Sequence, residues 1–179
     1  MNADSTSITP EQRVIVVGLG CLDRRDDGVG AVVAGHVRDI VNRSANHRLE
    51  VVVTEEPISL PDRLLGKDVA VIIDAVRSDG LPGTVTVREL GGVVPDLAAA
   101  PEAGLAGTHG FGLATAIELA RALDRLPPRV VAVGVEGSDF GHGRSLTAPV
   151  LGAVPRAVDA VLQILDLRAL AADGDVLSR

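Results

Sequence analysis

Residues 14–30 constrain this chain more than any other stretch. They read V-I-V-V-G-L-G-C-L-D-R-R-D-D-G-V-G. Four apolar β-formers run into Gly18 and Gly20, a polar loop follows, and Gly28 and Gly30 open a segment with helical apolar spacing. That is the strand–turn–helix start of an α/β domain, in which ligands collect at the carboxyl ends of parallel strands. The unusual element is the acidic pair Asp26 and Asp27 in the turn.

A chain of 179 residues suggests one domain. We expect it to span residues 13–170, with a loose tail at 1–12 and a fraying one at 171–179. A domain of this size buries roughly 70% of the surface of its unfolded chain, enough for a real core. With two Phe and no Trp or Tyr, that core must be aliphatic. The net charge of −7 argues against nucleic acid, whose binding depends on neutralising phosphates, and the missing aromatics remove the usual platform for base stacking. A single Cys excludes an internal disulfide and a Cys-based zinc cluster. No apolar run approaches the ~20 residues of a membrane span, and the polar N-terminus lacks a signal-like segment, so the expectation is a cytoplasmic protein with no membrane partner.

Strands are expected at residues 13–17, 48–54, 69–73, 84–88 and 129–135. The third is an almost unbroken apolar run, suited to burial on both faces, and is expected to end at Asp74. The fourth alternates Val with polar residues, as an edge strand does. Helices are expected at residues 27–42, 61–65, from Thr108 and His109 to about Leu126, and along an apolar series from Val150 to Leu165 in which Pro155 marks a kink or the true start. Ser59 is the candidate N-cap of the short helix, and Pro127 and Pro128 the stop of the third. Between them lies a Gly/Ala/Pro loop at 91–107, long enough to suggest a functional role.

The glycines invite a nucleotide reading. Gly18 and Gly20 begin a G-x-G-x-x-G fingerprint, but its third position is Asp23, and no Gly-Lys-Ser/Thr is present. Asp26 and Asp27 would also set two negative charges where a pyrophosphate should lie. No nucleotide cofactor is therefore expected. Polar residues at strand ends are more informative. Asp27 follows strand one, Asp74 ends strand three, and His109 opens helix three after the long loop. If strands one and three are parallel neighbours, two carboxylates and an imidazole can meet in one crevice as a shell for a divalent ion, with positions left for water or substrate. Each also has a plain structural use: Asp27 at a helix N-terminus, Asp74 in a turn, His109 at a helix start. His36 falls among apolar positions of helix one and should pack there, His47 should be solvated, and His142 lies between two glycines in the 136–145 loop. Cys21 lies near the crevice with no His close in sequence. One of Glu55 and Glu56 is able to face it.

The same residues carry a family resemblance. The loop from Gly18 to Gly30 resembles the G-x-G-N-x-x-x-x-D-[DE]-x-x-G start of the hydrogenase maturation endopeptidases. I-I-D-A-V with P-G-T-V after it, T-H-G-F-G-L, and V-G-V-E-G with S-L-T-A-P-V after it follow in the family's order, and together they span about residues 14–165. The resemblance implies a three-layer α/β/α sandwich around a mostly parallel, mixed five-stranded sheet, phosphorylase/hydrolase-like in class. It implies an endopeptidase that removes the C-terminal extension of a nickel-loaded nickel–iron hydrogenase large-subunit precursor. Carried over, the family's metal-contacting, catalytic residues are Asp27, Asp74 and His109, with the substrate's nickel or another divalent metal ion as the metal. The expected partner is that precursor, met by a monomer. Two departures stand out: Cys21 replaces the family's Asn, and Thr54, Glu55, Glu56 and Pro57 replace a D-G-G-T-type segment. The second supports an alternative, a non-enzymatic metal- or precursor-binding maturation chaperone on the same fold.

Overall fold

The computed structural model describes residues 8–9, 11–43, 49–90 and 112–167. Five strands form one sheet: β1 (Val14–Leu19), β2 (Leu49–Thr54), β3 (Val69–Val76), β4 (Val85–Glu89) and β5 (Arg129–Glu136). Their order is β2-β1-β3-β5-β4, and every pairing is parallel except that of β4 with β5. Strands one and three are thus the parallel neighbours that the crevice requires, with Gly18 opposite Ile73. β4 is an edge strand, as its alternation implies.

Among the described residues four α-helices cover the two faces. α1 (Val29–Asn42) and α4 (Ala148–Ile164) close one, where Val16, Val71, Ile73 and Val133 meet Val33, Val37, Val154 and Val161. α2 (Leu60–Leu64) and α3 (Leu113–Ala122) close the other, where Ile15, Val17, Ile72 and Val130 meet Leu60, Leu64, Leu113 and Ile117. The three-layer α/β/α sandwich follows from β-branched strands apolar on both sides, which must be buried on both sides. Among the described residues no helix is long and apolar enough to cross a membrane.

Several expected boundaries move. β3 does not stop at Asp74, because Ala75 and Val76 still pair with Val135 and Glu136 and are themselves buried. α1 starts at Val29 rather than Asp27, since residues Arg25–Gly28 form a tighter 3-10 turn. α3 starts at Leu113, after an extended Gly112, so His109 does not begin it. Nor does α3 reach Pro127. It ends at Ala122, where Asp124 takes a left-handed conformation (φ 55°) and the Arg125 N–H returns to the Ala120 carbonyl at 2.8 Å. α4 closes in the same way at Asp166, with Leu167 donating to Leu162. These are Schellman-type ends with Asp in the position glycine usually takes. α4 runs through Pro155 and begins well before it; Pro155 is exposed, so the carbonyl deprived of its helical donor can turn to water. Ser59 spends its hydroxyl on the Glu56 carbonyl rather than on a cap.

Of the stretch expected as an N-terminal tail, Ile8 packs against the core and donates its N–H to Asp166. Residues 1–7, the 91–107 loop and residues 168–179 lie outside the described residues.

One contact sets the geometry of the sheet's carboxyl end. A Cβ on Gly18 would lie 2.3 Å from the Gly30 carbonyl oxygen, and one on Gly30 would lie 2.2 Å from that of Leu19 and 2.5 Å from that of Ile73. Helix α1 is pressed backbone to backbone on the ends of β1 and β3. Gly30→Ala should therefore destabilise the fold by more than about 2 kcal/mol through overpacking. Gly35→Ala, where nothing lies within 4 Å, should stabilise α1 by about 0.5–1 kcal/mol. Denaturant midpoints of the two variants check the opposite signs.

Candidate functional site

The close approach of α1 leaves the 3-10 turn ahead of it hanging over the ends of β1 and β3. Gly20 makes this possible. Its φ is +115°, and a Cβ there would strike the Asp27 carbonyl at 1.9 Å. Asp27, almost fully buried, accepts the Cys21 N–H on Oδ2 at 2.8 Å. Cys21 is half-buried and is a free thiol.

Asp74 lies two residues before the end of β3. Side chains alternate along a strand, and Ala70, Ile72 and Val76 pack on the α2/α3 face, so Asp74 belongs to that face too. Burial pushes its carboxyl up to about 7; the Ala75 N–H works against this and the charge of Asp27 adds to it. The two acids thus share one electrostatic environment at the carboxyl end of neighbouring parallel strands. A cation between such groups would relieve both the burial of charge and the repulsion, so the pair suits a divalent ion. His109 lies outside the described residues, as does His47. Among the described residues no group of three His, Cys, Asp or Glu side chains is placed to hold a metal.

Other sequence candidates fall away. His36 is exposed rather than packed, because the buried stripe of α1 runs through Val29, Val33, Val37 and Val41. His142 is exposed, and its carbonyl accepts Arg25 Nε at 3.2 Å. Glu55 and Glu56 are both exposed. The segment carrying them is a closed turn in which Glu56 donates to Thr54 Oγ1 and Gly20 donates to the Thr54 carbonyl.

Asp26, adjacent to Asp27, has a different fate that sequence reasoning missed. It is fully buried. Its carboxylate accepts the backbone N–H groups of Ser138, Asp139 and Thr147 at 2.7–3.0 Å, and the hydroxyls of Ser138 and Thr147. Burial opposes its ionisation, but the Thr147, Ser138 and Asp139 backbone donors and the Thr147 hydroxyl prevail and hold it below the usual carboxylate range. Asp26 thereby ties the loop after β1 to the loop after β5 and to the start of α4. Backbone bonds from Asp26 to Asp139, Arg25 to Gly143 and Gly143 to Asp23 complete the seam. Glu136, also buried, does the same for the turn after β3 by accepting from Ser78 N–H and Oγ and from Gly80 N–H. The only sequence signals were the acidic doublet and a Glu ending an apolar strand.

The model of the hydrogenase maturation protease family (HycI) matches residues 56–164. The hydrogenase expression/formation protein HupD of Rhizobium leguminosarum bv. viciae is 26% identical over 157 residues, covering 87% of this chain and 75% of its own. The fold is similar to the hydrogenase maturating endopeptidase HybD from E. coli, with TM-score 0.66 and 20% identity over 90% of this chain and 94% of that one. It is also similar to the [NiFe] hydrogenase maturation protease HybD from Thermococcus kodakarensis, with TM-score 0.64 and 23% identity over 85% and 98% of the two chains.

Asp26→Ala should destabilise the protein by about 3 kcal/mol or more, since three buried N–H groups lose a charged acceptor. The native carboxyl is the stronger acid, so its contribution is complete above the unfolded value of about 4 and fades as pH falls through the native value. Unfolding titrations should show the parent losing stability below about pH 4 more steeply than Asp26→Asn.

Proposed function

This chain belongs to the hydrogenase maturation protease family, and we propose that it removes the C-terminal extension of a nickel-loaded nickel–iron hydrogenase large-subunit precursor, using Asp27, Asp74 and His109. The observation that supports the reading is positional: the buried Asp27, in the turn after β1, and Asp74, near the end of β3, both lie at the carboxyl end of neighbouring parallel strands. The order of the chain supports including His109. It precedes Leu113 by four positions, and α3 must start at the carboxyl edge because its far end feeds the amino end of β5.

In this reading the nickel is part of the substrate. Asp27 and Asp74 offer it carboxylate oxygens, and His109 offers a nitrogen. Asp74, with its carboxyl near 7, holds a proton for part of the time at neutral pH and gives it up when a cation arrives. Asp27 is fixed by the Cys21 N–H, so one of its oxygens is already engaged and the other is free for the substrate. Recognition of the metal sets the adjoining peptide against the site, which makes this an aspartate- and metal-dependent hydrolase in which positioning carries much of the rate. A single domain over about residues 13–170, acting as a cytoplasmic monomer on the precursor, completes the reading.

The test is cleavage of nickel-loaded precursor by the parent and by Asp27→Ala, Asp74→Ala and His109→Ala. Each substitution should lower kcat/KM by about a hundredfold or more. Normal processing by all three would refute the site. Precursor that is bound but left intact by the parent would replace the protease reading with that of a maturation chaperone.

A further inference from the structure

Four arginines gather where the loop after β1 meets the loop after β5. Two are matched by acids: Arg25 with Asp139 at 3.3 Å and Arg144 with Asp23 at 2.6 Å. Arg24 and Arg77 have no carboxylate partner among the described residues, and both are held on Phe140. Arg24 Nη2 donates to the Phe140 carbonyl at 3.1 Å, while its Nε is buried with no acceptor. The Arg77 guanidinium lies over the Phe140 ring, 4.6 Å from its centroid. Phe140 is itself buried in the α1/α4 core.

Stacking on a fixed ring orders a long side chain before any ligand arrives, and the edge of the guanidinium keeps its donors free. Arg77 is exposed, and it is the residue that follows β3. It follows Asp74 by three positions, about 10 Å of extended chain, and lies on the α1/α4 side where Phe140 packs while Asp74 belongs to the α2/α3 side, so a polypeptide that reaches both crosses the carboxyl edge of the sheet. In a chain of net charge −7, a preordered and unmatched guanidinium at this point is a specific feature rather than part of a basic surface.

We propose that Arg77, seated on Phe140 and backed by Arg24, binds the carboxylate of an acidic side chain of the polypeptide substrate within about three residues of the scissile bond. This rests on the endopeptidase reading for where the substrate lies. Arg77 positions the chain and takes no part in bond cleavage.

The test measures cleavage of nickel-loaded precursor by Arg77→Glu and Arg77→Gln, with precursors in which each acidic residue within four positions of the cleavage point is changed to Lys. Arg77→Glu should raise KM about tenfold or more while kcat stays within about twofold, and added salt should narrow the gap. One Lys-substituted precursor should restore cleavage by Arg77→Glu and impair cleavage by the parent. An unchanged KM, a loss that no exchange restores, or a precursor without an acid in that window would overturn the proposal. Arg77→Gln decides the matter by the same KM criterion if thermal unfolding shows Arg77→Glu to be misfolded. If the parent cleaves nothing, the endopeptidase reading is what fails, and the charge exchange is then read in precursor affinity.

Discussion

The backbone-to-backbone seating of α1 on the ends of β1 and β3 determines most of what this molecule can do. Without side chains at Gly18 and Gly30, the helix start comes close enough for its preceding turn to overhang the sheet. Asp27 is carried on that turn, and Asp74 rises beneath it on β3. The glycine spacing looks like part of a nucleotide fingerprint for a physical reason. In both cases glycine lets a helix approach a strand closely. Here the space beyond the strand ends holds carboxylates, which do not suit a phosphate.

Two consecutive aspartates divide the work by the donors available to each. Asp26 turns toward the loop after β5 and finds three N–H groups and two hydroxyls, which make its charge comfortable in a buried place. Asp27 finds one N–H and a second acid. The first arrangement is a rigid fastening. The second is less fully matched: burial is the main reason the Asp74 carboxyl is pushed up to about 7, and the charge of Asp27 adds to it. The fastening at Asp26 holds the turn that carries Asp27 in place.

Much of the architecture was legible because the strands are nearly pure runs of Val, Ile and Ala, and period and length identify such runs well. Strand-end position singled out Asp27 and Asp74 on the condition that β1 and β3 be parallel neighbours, and the sheet meets that condition. What escaped the sequence depends on distant partners or on single dihedral angles. Asp26 binds residues 112 and 121 positions away, which no local pattern reveals. Asp124 and Asp166 end helices in a conformation usually given to glycine, so α3 stopped before the proline pair that seemed to stop it. β3 outran Asp74 because β5 continued alongside it, and tertiary pairing overrode the turn preference of Asp. His36 falls on the solvent side of α1, because the buried stripe steps through Val29, Val33, Val37 and Val41 and leaves it out.

The account rests on Asp27 and Asp74 feeling one another's charge, and carboxyl-carbon NMR titration of the metal-free protein tests this directly. Asp74 should titrate near 7 in the parent and at a lower pH in Asp27→Asn, where the neighbouring charge is gone but the shape is kept. An Asp74 resonance that titrates near the ordinary value of about 4 and ignores the substitution would contradict it.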